Sequence, residues 1–308
     1  MLQIKSLSKI PKALKKSTVT IGAFDSLHSG HKKLIMQTIK QAKKIKGQSV
    51  LFTFAQHPDK TLKKDSDIKL ISHNSERLKI LKNLGVDIFL NLDFSQISGM
   101  SAETFVRKVL LEKLKMKWII AGRDFVFGKK AKGNMAFLKK MGAAEGFKAK
   151  TMDTVKVNGV KVSDTAIREY LRRGDIKMAD KMLGRQYEIY GKVAHGRHIG
   201  FKLGFPTANI KMTGRQGPAL GVWAVRVKVG NLMYTGAANV GTAPTIKNES
   251  HPLIEIFILD FNKKIYGRKI AVVFLEKIRD EKKFKNTAQL ITRVKKDIEI
   301  IKRRYCEK

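Results

Sequence analysis

One unbroken phrase near the N-terminus, Thr18-Val-Thr-Ile-Gly-Ala-Phe-Asp-Ser-Leu-His-Ser-Gly-His31, limits most sharply what this chain can become. Its β-branched run, Thr18 to Ile21, reads as a buried strand that stops at a glycine. Helical periodicity then runs over 32–46. A strand that turns into a helix aims backbone N–H groups and the positive end of the helix dipole at one point, which suits an anion. His28 and His31 stand three apart at this helix start, so their imidazoles share one side of the first turn. Such a site can stabilise charge growing on a phosphate under attack, with no protein nucleophile needed. No further His or Cys follows at ligand spacing, so the pair does not read as a zinc site.

The alternation continues downstream. Strand-like runs at 19–22, 49–54, 88–92, 118–121 and 148–152 are separated by helical patterns at 32–46, 75–84, 102–114 and 135–141. That order predicts an α/β domain, a parallel sheet covered by helices, with ligands at the carboxyl ends of its strands. Character changes after about residue 184. Strand-like segments at 187–194, 222–229, 232–240, 253–260 and 269–278, separated by turn residues, predict a small antiparallel β-barrel. Leu290, Ile291, Val294, Ile298 and Ile301 mark one apolar face of a closing helix over 287–304. Leu183-Gly184-Arg185 is the expected seam, which divides the chain into domains 1–183 and 184–308.

A length of 308 residues and 43% hydrophobic content are enough for two cores. The single cysteine, Cys306, excludes a disulfide framework and a cysteine metal cluster. The start Met-Leu-Gln-Ile-Lys-Ser has no signal-peptide character, and no apolar run reaches membrane-spanning length, so a cytoplasmic protein without a membrane partner is expected. Lys and Arg total 63 against 26 Asp and Glu, a net charge of +37. This excess is spread along the whole chain and not massed in one element. It favours anionic substrates such as ATP and nonspecific adhesion to RNA at low salt, while no nucleic-acid-binding motif accompanies it. Homo-oligomerisation stays open.

The phrase Gly22-x-Phe24-Asp25-x-x-His28-x-Gly30-His31 resembles the nucleotide-binding signature of the adenylyl- and cytidylyltransferases related to class I tRNA synthetases. The resemblance implies that His28 and His31 stabilise the transferred nucleotidyl group and its departing pyrophosphate, with Gly22, Phe24, Asp25 and Gly30 beside ATP. His57-Pro58 follows the second strand, where the family commonly shows a His-Pro; the same residues read equally well as a strand-ending turn. Gly122-Arg-Asp124-Phe125-Val-Phe127-Gly128 is similar to the family's Gly-x-Asp-Phe-x-Phe-Gly segment, whose aromatics wall a flat-ring pocket. Flavin contacts are thereby implied for His57, Pro58, Asp124, Phe125 and Phe127. In Val162-Ser163-Asp164-Thr165-Ala-Ile167-Arg168 the resemblance gives Ser163, Thr165 and Arg168 to the ATP phosphates. Asp164 stands where a serine is usual, and Ser26-Leu27 where Gly-Val is usual.

A second constellation lies in the C-terminal half. Gly204-Phe-Pro206-Thr207-Ala-Asn209, preceded by Gly200, resembles the metal–ATP loop of riboflavin kinases. Thr207 hydroxyl and Asn209 amide are hard oxygen donors suited to Mg²⁺. Asn239-Val-Gly-Thr-Ala-Pro-Thr245 resembles that family's Asn-Ile-Gly-x-x-Pro-Thr, and Glu255 falls on the strand that carries its general base. Tyr266, Arg279, Glu281 and Phe284 complete the match as nucleotide and flavin contacts; for Arg279 and Glu281 a surface ion pair ahead of the helix fits the residues equally well. Phe201 and Ala243 stand where arginine is frequent, and Asp280 where proline is usual.

Over residues 15–305 and in the family's order, these segments resemble the bifunctional bacterial riboflavin kinase/FAD synthetases. The resemblance implies a Rossmann-like nucleotidyltransferase domain followed by a small antiparallel β-barrel kinase domain with a C-terminal helix. It further implies ATP as co-substrate, Mg²⁺, and conversion of riboflavin to FMN and of FMN to FAD. Two alternatives stand beside it. Asp164 suggests a riboflavin kinase with a weakened adenylyltransferase domain, and the charge of +37 suggests a basic flavin-linked regulator that binds nucleic acid.

Overall fold

The computed structural model describes residues 1–55, 69–196, 200, 203–243 and 251–306. They form two compact units, Met1–Ile68 with Asn74–Ser163, and Lys69–His73 with Asp164–Lys308.

Six parallel strands make the sheet of the first unit: β1 (Leu2–Ile4), β2 (Ser17–Ile21), β3 (Gln48–Phe54), β4 (Ile88–Leu92), β5 (Met116–Gly122) and β6 (Lys148–Met152), in the order β1-β4-β3-β2-β5-β6. Every residue of β2 and β4 is buried, as parallel strands covered on both faces require. Side chains alternate between two cores. Val50, Phe52, Ile88 and Leu90 join Phe105, Val109 and Leu138 on one face. Leu51, Phe89 and Ile120 meet Phe24, Leu27, Leu34 and Ile35 on the other. Helix α1 (Ser29–Lys44) links β2 to β3, α2 (Asn74–Leu84) precedes β4, and α3 (Met135–Glu145) precedes β6. A further helical segment opens at Ala102–Thr104 and continues with π-type turns over Phe105–Lys113. The chain steps outward from β2 through β3 to β4, then returns to lay β5 on the other flank of β2. The carboxyl ends of β2 and β5 therefore bracket the point where strand order reverses, which is where open α/β sheets bind ligands. Within this sheet the three-residue β1 had no readable sequence signal, being too short to show a period.

The second unit opens with helices α4 (Asp164–Arg173) and α5 (Ile176–Leu183). Six strands follow: β7 (Glu188–Lys192), β8 (Thr207–Lys211), β9 (Gly221–Val229), β10 (Leu232–Ala243), β11 (His251–Ile258) and β12 (Lys269–Arg279). They pair antiparallel in the order β7-β12-β9-β10-β11-β8, and a bridge from Ala194 to Asn209 nearly closes the ends into a barrel. Helix α6 (Thr287–Tyr305) packs Ile301 into the barrel's satellite core, and the Arg226 guanidinium donates to Tyr305 O at 3.2 Å. Residues 69–73 belong here as well: Leu70 N donates to Gly214 O at 3.0 Å, and Leu70 O accepts from Gln216 N at 2.9 Å. Two elements of this unit go beyond the sequence reading. Helix α5 has no expected counterpart. Residues 207–211, which partly fall in the Gly204–Asn209 segment that resembles the metal–ATP loop, form a strand with Ala208 and Ile210 in the core.

Candidate active sites

In the first unit the site grows from the end of β2. Gly22 N donates to Phe52 O at 3.2 Å, so the chain leaves the sheet edge still held to β3. It then turns through Phe24 and Leu27, both in the left-handed region with φ of 47° and 50°, although neither is glycine. Burial of both side chains holds that costly geometry. The turn delivers His28 to the N-cap of α1, where its Nδ1 accepts from His31 N at 3.0 Å. A neutral imidazole that accepts at Nδ1 carries its proton on Nε2, so the far edge of His28 is a donor. The His28 and His31 rings stack with centroids 3.6 Å apart and planes 11° from parallel, and Phe24 meets His31 edge-on at 4.9 Å. At Gly30 a Cβ would come 3.1 Å from His28 Cε1, so only glycine leaves the ring undisturbed. His28 and Asp25 are both buried. Two stacked imidazoles, a helix N-terminus and the strand-order reversal therefore coincide.

The segment after β5 is placed differently from a simple aromatic wall. Phe127 is ringed by Phe105 at 5.7 Å, Phe125 at 5.4 Å and Phe137 at 6.1 Å, and Gly133 lies so close that its Cβ would fall 2.6 Å from the Phe127 ring. Phe125 is only partly covered, and Asp124 is exposed in an ion pair with Lys161 that holds its carboxyl below the usual range. His57 and Pro58 lie outside the described residues. Ser163 closes the first unit, while Thr165 and Arg168 belong to α4 of the second, where Arg168 Nε donates to Lys69 O at 2.9 Å.

In the second unit the site is a row across three strands. Asn209 on β8 lies opposite Glu255 on β11, and Glu255 lies opposite Asn239 on β10. Directly opposed residues of antiparallel strands point to the same face, so these three side chains stand side by side. Thr207, two residues before Asn209, shares that face. Glu255 is exposed while Asn209 is buried. The Asn209 Oδ1 is enclosed and has no hydrogen-bond partner among the described residues, although its Nδ2 lies 3.5 Å from Thr207 O. Two glycines crowd this corner. A Cβ at Gly196 would come 2.3 Å from Asn209 Nδ2, and one at Gly200 would stand 3.3 Å from Thr207 Oγ1 and 2.4 Å from Phe205 O. Gly200 O also accepts from Phe205 N at 2.8 Å, which fixes the turn through Gly204, with φ of 83°, and exposed Pro206.

Around the row, Tyr266 is 40% exposed and stacks on His195 at 4.2 Å. Glu281, on the loop after β12, lays its carboxylate over Gly241: a Cβ there would stand 2.7 Å from Glu281 Oε1 and 3.4 Å from Asn239 Nδ2. Arg279 turns inward, its Nε 2.8 Å from Asp297 Oδ2, and its guanidinium lies 5.7 Å from the Phe284 ring. Thr245 lies outside the described residues. Sequence reasoning missed Asp297; the available signal was an acid placed four residues before Ile301, on the apolar stripe of α6.

Comparisons with known proteins agree with both halves. The FAD synthetase family matches residues 10–166 and the riboflavin kinase family residues 183–305. A bifunctional riboflavin kinase/FMN adenylyltransferase of Buchnera aphidicola is 36% identical, with 99% of each chain covered. One from Escherichia coli K12 is 32% identical over 96% of this chain and 94% of its own. A solved structure described as a macrolide-efflux protein from Streptococcus pneumoniae matches with a TM-score of 0.86 and 32% identity over 98% of each chain. Among the described residues no helix is long and apolar enough to cross a membrane.

Proposed function

Because the chain belongs to the bifunctional riboflavin kinase/FMN adenylyltransferases, we propose a division of labour in which the N-terminal and C-terminal parts of the sequence each carry one reaction. The protein is an enzyme of flavin cofactor synthesis: riboflavin and ATP give FMN and ADP, and FMN and ATP give FAD and pyrophosphate. Residues 1–183 are assigned to adenylylation and 184–308 to phosphorylation, supported by the ranges of the two family matches.

For adenylylation, an FMN phosphate oxygen attacks the α-phosphorus of ATP, and the bond from that phosphorus to the α,β-bridging oxygen breaks, releasing pyrophosphate. His28 donates from Nε2 to a non-bridging or leaving oxygen, since its Nδ1 is already engaged by His31 N. His31 is held parallel to it and shares the growing charge. The N-terminus of α1 adds its partial positive charge. Gly22, Phe24, Asp25 and Gly30 shape the turn; Ser163, Thr165 and Arg168 are assigned to ATP, and Asp124 and Phe125 to the flavin. Phe127, partly buried and in contact with three phenylalanines, is assigned to the flavin beside Phe125.

For phosphorylation, Glu255 takes the proton of the terminal ribityl hydroxyl as its oxygen attacks the γ-phosphorus. Mg²⁺ fits the donors present: Asn209 Oδ1 is a buried oxygen that lacks a partner among the described residues, and the Thr207 hydroxyl lies on the same face. When bound there, the cation neutralises charge on the β- and γ-phosphates. Gly200, Gly204 and Pro206 let the chain wrap the phosphates, while Asn239, Tyr266, Glu281 and Phe284 border the substrates. The observation that carries this assignment is the Asn209–Glu255–Asn239 row, which puts a base one strand away from a cation donor. The two alternatives gain nothing from the comparisons, since the FAD synthetase match spans 10–166. A cytoplasmic enzyme with small-molecule substrates and no specific nucleic-acid partner completes the proposal. Incubation with riboflavin and Mg-ATP, with flavins separated by chromatography, tests it: FMN and then FAD are expected, and FMN that never becomes FAD would remove the first unit's activity.

A further inference from the structure

Helix α6 carries a carboxylate on the face that it buries. Asp297 is 2% exposed, in line with Ile301. A buried charge is kept only with partners close by, and here there are two. Arg279 Nε lies 2.8 Å from Asp297 Oδ2, and Arg293 Nε 3.0 Å from Oδ1. Arg293 belongs to the same helix, one turn before, so its ion pair with Asp297 stays within that helix. Arg279 is different. It ends β12, and its Nη1 donates to Asp280 O at 3.0 Å while its guanidinium lies near Phe284. One guanidinium therefore ties the buried helix face to both ends of the short loop 280–284. Glu281 is the first of the three residues between those ties, and its carboxylate lies over Gly241, beside Asn239 of the catalytic row.

From this chain of contacts we infer that Asp297, which touches no substrate, is a positioning residue for the kinase site: it orients Arg279, and through it the loop that holds Glu281 at the end of the Asn209–Glu255–Asn239 row. The inference rests on the placement of the kinase site proposed above. A planar guanidinium can brace in three directions because its donors point along fixed vectors, and Asp297 fixes which of those vectors faces the loop. With a neutral amide at 297, Arg279 is free to swing toward solvent, and the loop loses its anchor at both ends. The substrate-facing rim then has to be ordered anew by each flavin that binds, which weakens binding more than the transfer step.

The test uses the full-length chain with riboflavin and Mg-ATP, and FMN adenylylation as an internal control for folding. Asp297→Asn is expected to raise the KM for riboflavin about tenfold with a smaller change in kcat, while adenylylation of supplied FMN stays at the parent rate. Asp297→Glu, which keeps the charge, should recover a large part of that loss. The double variant Asp297→Asn with Glu281→Gln should be scarcely worse than the poorer single one, since both break one path. Multiplying losses, or an unchanged riboflavin KM in Asp297→Asn beside an inactive Glu255→Gln, would overturn the positioning role alone. An active Glu255→Gln would overturn the site assignment and this inference with it. Should Asp297→Asn not fold, Arg279→Lys probes the same link from its other end and is expected to give the same rise in KM.

Discussion

The two units handle ATP with opposite structural means. In the first, the charge-stabilising groups sit where backbone geometry is least regular: a turn with two left-handed non-glycine residues delivers His28 to a helix N-cap. In the second, the groups stand on the face of regular strands, and pairing register alone aligns Asn209, Glu255 and Asn239. A nucleotidyl transfer needs donors for charge at the α-phosphorus, and the end of a helix supplies them with little help from side chains. A hydroxyl nucleophile needs a base at a set distance from a cation, and neighbouring strands about 5 Å apart supply that spacing. The chemistry each unit performs follows from which kind of element presents the groups.

This contrast can be broken at either end. The largest expected effect is Glu255→Gln, which should lower riboflavin phosphorylation by about 10³-fold or more and leave adenylylation of supplied FMN intact. A kinase rate within a few fold of the parent would show that the row is not the base-bearing site. His28→Ala should lower adenylylation by about 10²-fold and spare the kinase. Loss of both activities in that variant would mean that the turn supports the whole fold and not one site. Asn209→Ala should move the Mg²⁺ concentration for half-maximal kinase rate upward by about tenfold, read from a metal titration; no movement would place the cation elsewhere.

The smallest effect concerns the stability of the helix pair that opens the second unit. Burial pushes the Asp180 carboxyl up to about 6, against the lowering from its hydrogen bond with Tyr187 N and from the Arg185 charge. The folded state then holds the proton more tightly than the unfolded chain, whose value is near 3.8. Stability from this group is therefore lost as pH rises from about 4 through 6. Asp180→Asn keeps an acceptor for Tyr187 N–H and should stabilise the unit by about 1 kcal/mol at neutral pH after allowance for solvent screening. Denaturant melts at pH 4 and pH 7.5 would check it, with the gain confined to the higher pH.

Much of the fold was readable because each half keeps one period. Buried β-branched runs between helical patterns gave the parallel sheet, and turn-separated alternation gave the barrel. The motif after β2 was readable because it must be local: strand, turn and cap occupy 14 consecutive residues, 18–31. The kinase row was harder, since Asn209, Asn239 and Glu255 are far apart in the chain and meet only through strand register. Residues 207–211 do not read as a strand because Gly204–Asn209 resembles the metal–ATP loop, whereas tertiary pairing with β11 makes 207–211 a strand. Phe127 reads as a pocket wall in a string of aromatics, and packing adds that Phe105, Phe125 and Phe137 contact its ring. Asp297 is overlooked for a similar reason: an acid in a basic helix looks like a surface charge until its two arginines are placed.

Complementation tests most directly whether two independent phosphate-handling sites share one chain. Glu255→Gln and His28→Ala proteins are each given riboflavin and Mg-ATP, alone and mixed, and the flavins are separated by chromatography. Alone, the first should make neither product and the second should stop at FMN; mixed, they should yield FAD. A mixture that makes no FAD, or either variant forming FAD from riboflavin unaided, would contradict the assignment of one reaction to each unit.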